Sequence, residues 1–353
     1  MKNKHLIIII LIILSAAASF FWFEPGQGTM KSELRNFAIS DTSNVVKIFL
    51  ADKANRTILL DRQDNSSWLV NGEFRARKDM IDLLLGTMKS LQARAPVPKA
   101  AHNTAVANLA SRSVKVEIYQ KKYRINLFNR IRILPHVKRT KVYYVGDVTP
   151  DNIGTFMIME NATTPFVVYW PGFRGFVASR YSVLLEDWRD HTVFENKLPQ
   201  IQMIEVVFSG KQDQSYKIIK NRDGRFYLIP STTNQALPVY DTLKMLAFLT
   251  AFENIRYEAL INDMDMRLVD SIISSQPQHI ITVTDTKGNR KQVKTFKRIA
   301  QVYSEDEDGI PSEFDTERMY ALMNEEKDFV LIQHFVFDKI LKPLDYFRKP
   351  VTN

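Results

Sequence analysis

The stretch Asp187-Trp188-Arg189-Asp190-His191 gathers a histidine, an arginine, an indole and two carboxylates in one short run. Such a set is the raw material of acid–base chemistry, in which an imidazole moves a proton and a carboxylate orients the ring. Neighbours in sequence point apart on a helix or strand, so adjacency does not make a pocket. The competing reading is a structural clamp. Trp188 then fills a gap between two halves of the chain, and Arg189 satisfies a carboxylate or a buried carbonyl. The clamp is the favoured reading. Trp170, Trp188, Arg189, Asp190 and His191 are carried forward as structural or interaction residues, with no catalytic residue assigned.

A second stretch is basic. Between Lys121 and Lys141 lie Lys121, Lys122, Arg124, Arg130, Arg132, Lys138, Arg139 and Lys141, with no acid among them, in a chain of net charge +9. Cations at this density attract polyanions, whether phospholipid headgroups, an anionic glycan or nucleic acid. Tyr123 and Phe128 can stack on bases. The plainer reading is a hairpin with Ile125, Leu127, Ile131 and Ile133 inward and the cations solvated. Anionic headgroups are kept as the candidate partner of these eight cations, and nucleic acid is not expected.

The remaining chemistry is sparse. Ser304-Glu305-Asp306-Glu307-Asp308-Gly309 has the acidity of a calcium loop. It lacks the leading acid and the twelfth-position glutamate of one, so a solvated loop is expected. The six histidines are scattered without zinc spacing, and the glycines form no phosphate-cradling loop after a strand. The absence of cysteine excludes disulfides, thiolate-ligated metals and a thiol nucleophile. No cofactor and no metal are expected, and a non-enzyme is favoured.

The elements that must position these residues show self-similarity. VVKIFLADKANRTILLDRQDNSSWLV from Val45 resembles MIEVVFSGKQDQSYKIIKNRDGRFYLI from Met203. At a shift of 158 residues, Ile48 falls on Val206, Leu60 on Ile218 and Trp68 on Phe226. Apolar residues at alternating positions predict strands with one buried face. Ile81, Leu84, Leu85, Met88 and Leu91 then recur at helical spacing, answered by Met245, Leu246, Leu249 and Phe252 at a shift of 161. Strands return at Lys115, Val142 and Pro165 in the first copy and at His279, Lys291 and Asp328 in the second. Fixed-period similarity is the signature of a duplicated unit.

Lys2, Lys4 and His5 precede an uncharged apolar run from Leu6 to Phe23. As a helix it spans about 27 Å, close to the thickness of a bilayer core. The flanking charges predict an amino terminus in the cytoplasm and an exported remainder. A cleaved signal peptide, with Ala16-Ala17-Ala18 at the cleavage site, is the alternative.

The combination of this run with RKDMIDLLLGTMKSL, APVPKAAH, YYVGDVTPDNIGTFMIMENATTPFVVYWPGF and DWRDHTVF resembles the family called domain of unknown function 4340, in its exported, membrane-anchored Bacteroidetes form. The resemblance covers most of the chain and is strongest over 76–102 and 142–195. The family carries no established activity, so no site residue is transferred. It implies an inner-membrane or periplasmic location, and some relatives look like auxiliary parts of ABC-type transport or gliding machinery. The stretch between Tyr119 and Tyr143 departs from the family pattern in being longer and more basic.

The expected fold class is α+β: an N-terminal transmembrane helix followed by two tandem repeats, each an antiparallel sheet with covering helices. The expected divisions are a cytoplasmic n-region at 1–5, a signal anchor at 6–23, a spacer at 24–44, a first repeat at 45–170, a join at 171–199 and a second repeat at 200–353. The expected protein is a non-enzymatic, single-pass inner-membrane protein with its bulk in the periplasm, serving protein interaction or assembly. Its expected partners are the membrane, through the N-terminal helix, and another envelope protein. The alternatives are an accessory subunit of a transporter or of gliding or secretion machinery, and an enzyme with its site at the join.

Overall fold

Alternating apolar residues in short runs, separated by Asn-, Asp- and Gly-rich turns, give the described chain its nineteen strands, all paired antiparallel. The structure is a computed structural model that describes residue 15 and residues 32–127, 131–261, 264–300 and 311–349. The chain divides into two units, residues 1–190 and 191–353.

In the first unit the elements run β1 (Val45–Ala51), β2 (Thr57–Arg62), β3 (Trp68–Val70), β4 (Phe74–Arg75), α1 (Lys78–Ser90), β5 (Gln92–Pro96), α2 (Lys99–Arg112), β6 (Val114–Leu127), β7 (Ile131–Val148), β8 (Thr155–Met159), β9 (Phe166–Tyr169) and α3 (Leu185–Trp188). The nine strands form one sheet in the order β4-β3-β2-β1-β6-β7-β8-β9-β5. Ile48, Leu50, Leu60, Ile118 and Tyr143 put one face of this sheet into a core that α1 closes with Ile81, Leu84 and Met88. Phe37 and Ile39 belong to that core, so part of the expected spacer is structural.

The second unit contains β10 (Thr192–Phe194), β11 (Ile201–Phe208), β12 (Tyr216–Lys220), β13 (Phe226–Pro230), α4 (Thr242–Ala251), β14 (Ile255–Arg256), β15 (Ala259–Leu260), α5 (Met266–Ser274), β16 (His279–Asp285), β17 (Arg290–Phe296), β18 (Arg318–Met323), β19 (Asp328–Gln333) and α6 (His334–Phe337). Its large sheet has the order β13-β12-β11-β16-β17-β18-β19-β15, and β10 pairs with β14 in a small one. This order repeats the run from β3 to β5 in the first unit, strand for strand. Met245, Phe248 and Leu249 of α4 enter the core, and the Asp241 side chain caps the helix by accepting from Leu243 and Lys244 N–H.

The repeat carries its irregularities with it. A register break falls between Val45 and Lys47 in β1 and between Ile201 and Met203 in β11. The two strands share one sequence of buried and half-buried positions when Val45 is set on Ile201. The first strands therefore correspond at a shift of 156 residues, not 158. The pairs Leu60–Val70 and Ile218–Leu228 keep 158 for the strands that follow.

The expected fold class is corrected by these observations. The described chain is mostly antiparallel sheet, carried on three sheets with few helices. The longest described helix, α2, has 14 residues and reaches about 21 Å, short of a bilayer core. No described helix is long and apolar enough to cross a membrane. The expectations of a transmembrane signal anchor and of a single-pass inner-membrane location with a periplasmic bulk are corrected with it. The run Leu6–Phe23 lies, but for Ser15, outside the described residues, as does the acidic run Ser304–Gly309.

Candidate functional site

The most distinctive element is the far half of the β6–β7 hairpin. Pairing of β6 with β1 stops at Gln120–Val45, where Lys121 N–H donates to Asn44 C=O at 2.8 Å. Pairing of β7 with β8 stops at Tyr143–Met159. Beyond those points β6 and β7 pair with each other alone, from Lys121–Val137 to Leu127–Ile131. The hairpin thus continues as a two-stranded ribbon past the body of the sheet.

The second unit shows what this hairpin needs for folding. Its counterpart, β16–β17, pairs from His279–Thr295 to Thr284–Arg290 and turns at once through Asp285–Asn289. The Asp285 carboxylate fixes that turn by accepting from Lys287 and Asn289 N–H, both at 2.8 Å. Gln120 and Asp285 occupy equivalent places, opposite Val45 and Ile201. The ribbon is therefore an extension present in one copy of a repeated architecture.

The root of the ribbon is ionic. Glu117 is buried and accepts from Lys115 at 2.5 Å, Tyr119 Oη at 2.6 Å and Arg139 at 3.2 Å. Burial alone raises its carboxyl, but these partners outweigh burial and hold it below the usual glutamate value. Lys141 donates from Nζ to Asn36 and Ala38 C=O, each at 2.5 Å, and tethers the segment before β1. Burial pushes its ammonium down to about 8.

Of the eight cations expected to meet an anionic surface, two are thus held in the body of the unit. Lys141 is tied to carbonyls, and Arg139 to Glu117 and Glu160. Lys121, Lys122, Arg124 and Lys138 are exposed on the ribbon or at its root. Arg130 lies outside the described residues, and for Arg132 only the strand position is described. The inward packing expected of Ile125 and Ile133 is corrected: they are 44% and 47% exposed, and Leu134 and Val137 are 55% and 58% exposed. Among the described residues no third strand and no helix covers the ribbon, so these side chains stay exposed.

The residues of the join separate. Trp188 is fully buried in the core of the first unit, its Nε1 donating to Ser182 C=O at 2.9 Å. Its own carbonyl accepts from Arg77 N–H at 2.7 Å. Arg189 is 8% exposed, and its guanidinium lies 4.0 Å from the centre of the Phe74 ring. Asp190 takes Arg75 Nε and Nη2 at 2.5 Å each. His191 belongs to the second unit and stacks on Tyr257 with ring centres 4.4 Å apart. Trp170 stands with Phe173 under the Arg180 guanidinium, at 5.4 and 4.4 Å. Two cavities stand out: one of about 580 Å³ lined by Arg35–Ala38 and Lys89–Ala93, and one of about 300 Å³ around Lys297, Arg298, Asp315 and His334. His191 lines neither. Among the described residues no cluster of histidine and carboxylate side chains could hold a metal ion.

The model of the family described as "Domain of unknown function (DUF4340)" matches residues 68–271, more than half of the chain. The chain belongs to this family. The DUF4340 match runs from β3 into α5, so it contains the whole ribbon and the whole join and stops short of β16. No curated protein and no solved structure matches the chain.

Sequence reasoning found the cations of the ribbon and its apolar residues Ile125 and Ile133, but turned inward a face that is exposed. The signal for that face was present. β6 and β7 alternate over more residues than any neighbouring strand can cover.

Proposed function

We propose that the chain is a non-enzymatic module for protein interaction or assembly, and that the β6–β7 ribbon is its contact element. One comparison carries the reading. The second unit closes the equivalent hairpin with the turn at Asp285–Asn289, whereas the first extends it. The extension is unnecessary for the sheet, and an isolated two-stranded hairpin is marginally stable in water. It nevertheless exposes Ile125, Ile133, Leu134 and Val137 among cations. Exposed aliphatic side chains grouped and rimmed by polar residues are the mark of a contact surface.

The test is site-specific photocrosslinking in intact cells. A photoreactive residue at Val137 is compared with one at Leu268, which is comparably exposed on α5. Discrete protein adducts at Val137 and none at Leu268 are expected. Equal labelling at both positions, or none at either, overturns the reading.

A further inference from the structure

The ribbon has two unlike faces. Residues opposite one another in an antiparallel pair share a face, and successive residues alternate. Lys121 stands opposite Val137, Tyr123 opposite Pro135 and Ile125 opposite Ile133. That face is apolar apart from Lys121. Lys122 stands opposite His136 and Gln120 opposite Lys138, with Arg124 two positions along from Lys122. This second face is basic, and by the same alternation Leu134, between Pro135 and Ile133, falls on it.

Its two edges are also unlike. The β7 edge contains Pro135, which has no N–H to give, and Leu134 at φ +57°, in the left-handed region that a leucine rarely adopts. Both features blunt a strand edge. From Lys122 to Ile125 the β6 edge contains no proline and no residue of positive φ. Among the described residues no third strand pairs with β6 beyond Lys121. The place left there lies in line with β1, which covers the first half of the same edge.

We propose that the β6 edge takes an extended protein segment of alternating acidic and apolar residues as an added strand. Main-chain hydrogen bonds to an exposed edge supply affinity that is blind to sequence, and the alternating side chains supply the choice of partner. On an added strand the apolar residues continue the face of Ile125 and Ile133. The acidic residues then fall on the face of Lys122 and Arg124, where opposite charges on neighbouring strands attract. A second copy of this chain is a poor occupant, because its ribbon sets the same cations against these and like charges repel. The inference rests on the reading of the ribbon as the contact element and names the chemistry of what it contacts.

The experiment titrates the full chain against a labelled synthetic peptide of about eight residues alternating Glu and Val, a length matched to the ribbon. Saturable binding is expected. N-methylation of alternate peptide nitrogens removes strand donors and weakens binding by about tenfold or more. The double variant Lys122→Glu, Arg124→Glu loses the Glu–Val peptide to a similar extent and takes an alternating Lys–Val peptide in its place. Near-ultraviolet circular dichroism of that variant confirms that the cores are intact. Equal binding of polyglutamate of the same length, or indifference to N-methylation, reduces the site to a diffuse cation patch and overturns the inference. Adsorption to phosphatidylglycerol-containing vesicles with no peptide binding assigns the ribbon to a lipid surface and also overturns it. Protein adducts at Val137 without Glu–Val binding leave the interaction reading standing and remove the strand-addition inference.

Discussion

His279 on β16 is held between Thr295, whose Oγ1 is 2.9 Å from Nδ1, and the Phe208 ring, which crosses it at 84° with ring centres 4.9 Å apart. Burial pushes its imidazole down to about 4; the charge of His334 adds to this and Asp338 opposes it. The folded chain thus refuses a proton that the unfolded chain accepts between pH 6.5 and about 4. Stability should be whole above that window and fall as pH drops through it, by up to about 3 kcal/mol from this residue. The equivalent place in the first unit is Val114, since His279 and Val114 each lie six residues before the matched Asp285 and Gln120. His279→Val should therefore flatten the acid limb, read as the urea midpoint from neutral pH to pH 4; an unchanged slope refutes the assignment. Residue-scale chemistry was the least legible part of the sequence. Asp187 to His191 looked like one constellation, yet Asp190 is tied to Arg75, 115 positions away, and His191 to Tyr257. Chain adjacency carries no information about such partners, because the fold chooses them.

Strands and helices were far more legible, for a reason that also sets the limit. Alternation told which faces of β1, β2, β11 and β12 turn inward, and Leu84, Met88 and Leu91 against Met245, Leu249 and Phe252 marked two corresponding helices and are all buried, whereas Leu246, set against Leu85, is exposed. The register of β1 against β11 was misplaced by two residues. A slip of two keeps every side chain on its own face, so the hydrophobic pattern cannot see it. The extra residues of the second unit lie between β11 and β12, where Gln212–Gln214 form a short helical turn. Turns can be tested directly. Between β7 and β8, Thr149 N–H donates to Gly154 C=O at 2.9 Å, and Gly154 N–H donates to Thr149 Oγ1 at 3.0 Å. A Cβ on Gly154 falls 2.5 Å from Val167 Cγ1 and 3.3 Å from Val168 O. Gly154→Ala should cost about 1–3 kcal/mol by overpacking. Val167→Ala in the same chain should recover part of that loss in urea unfolding, because it removes the atom in the way. Equal losses with and without that second change point to the turn backbone instead.

At the scale of the chain, each unit encloses a core of its own. The first reaches back to Phe37 and Ile39 and forward to Val177, Tyr181 and Trp188, with the Tyr143 and Tyr181 hydroxyls meeting at 3.1 Å inside it. The second starts with Val193 and Phe194 and ends with Phe347, whose ring meets Tyr216 and Phe248, each at 5.2 Å between ring centres. The residues expected to form a separate join are thus divided between two cores, with the division at Asp190 and His191. Both units fall in the ordinary size range of self-sufficient domains. Scanning calorimetry of the whole chain should therefore resolve two transitions. Trp188→Ala removes the largest fully buried side chain of the first core and should lower one transition, at a cost of about 3–5 kcal/mol. Phe347→Ala should lower the other by a similar amount and leave the first in place. A single transition displaced by both variants would mean that the two cores melt as one body and that the duplication produced one cooperative fold.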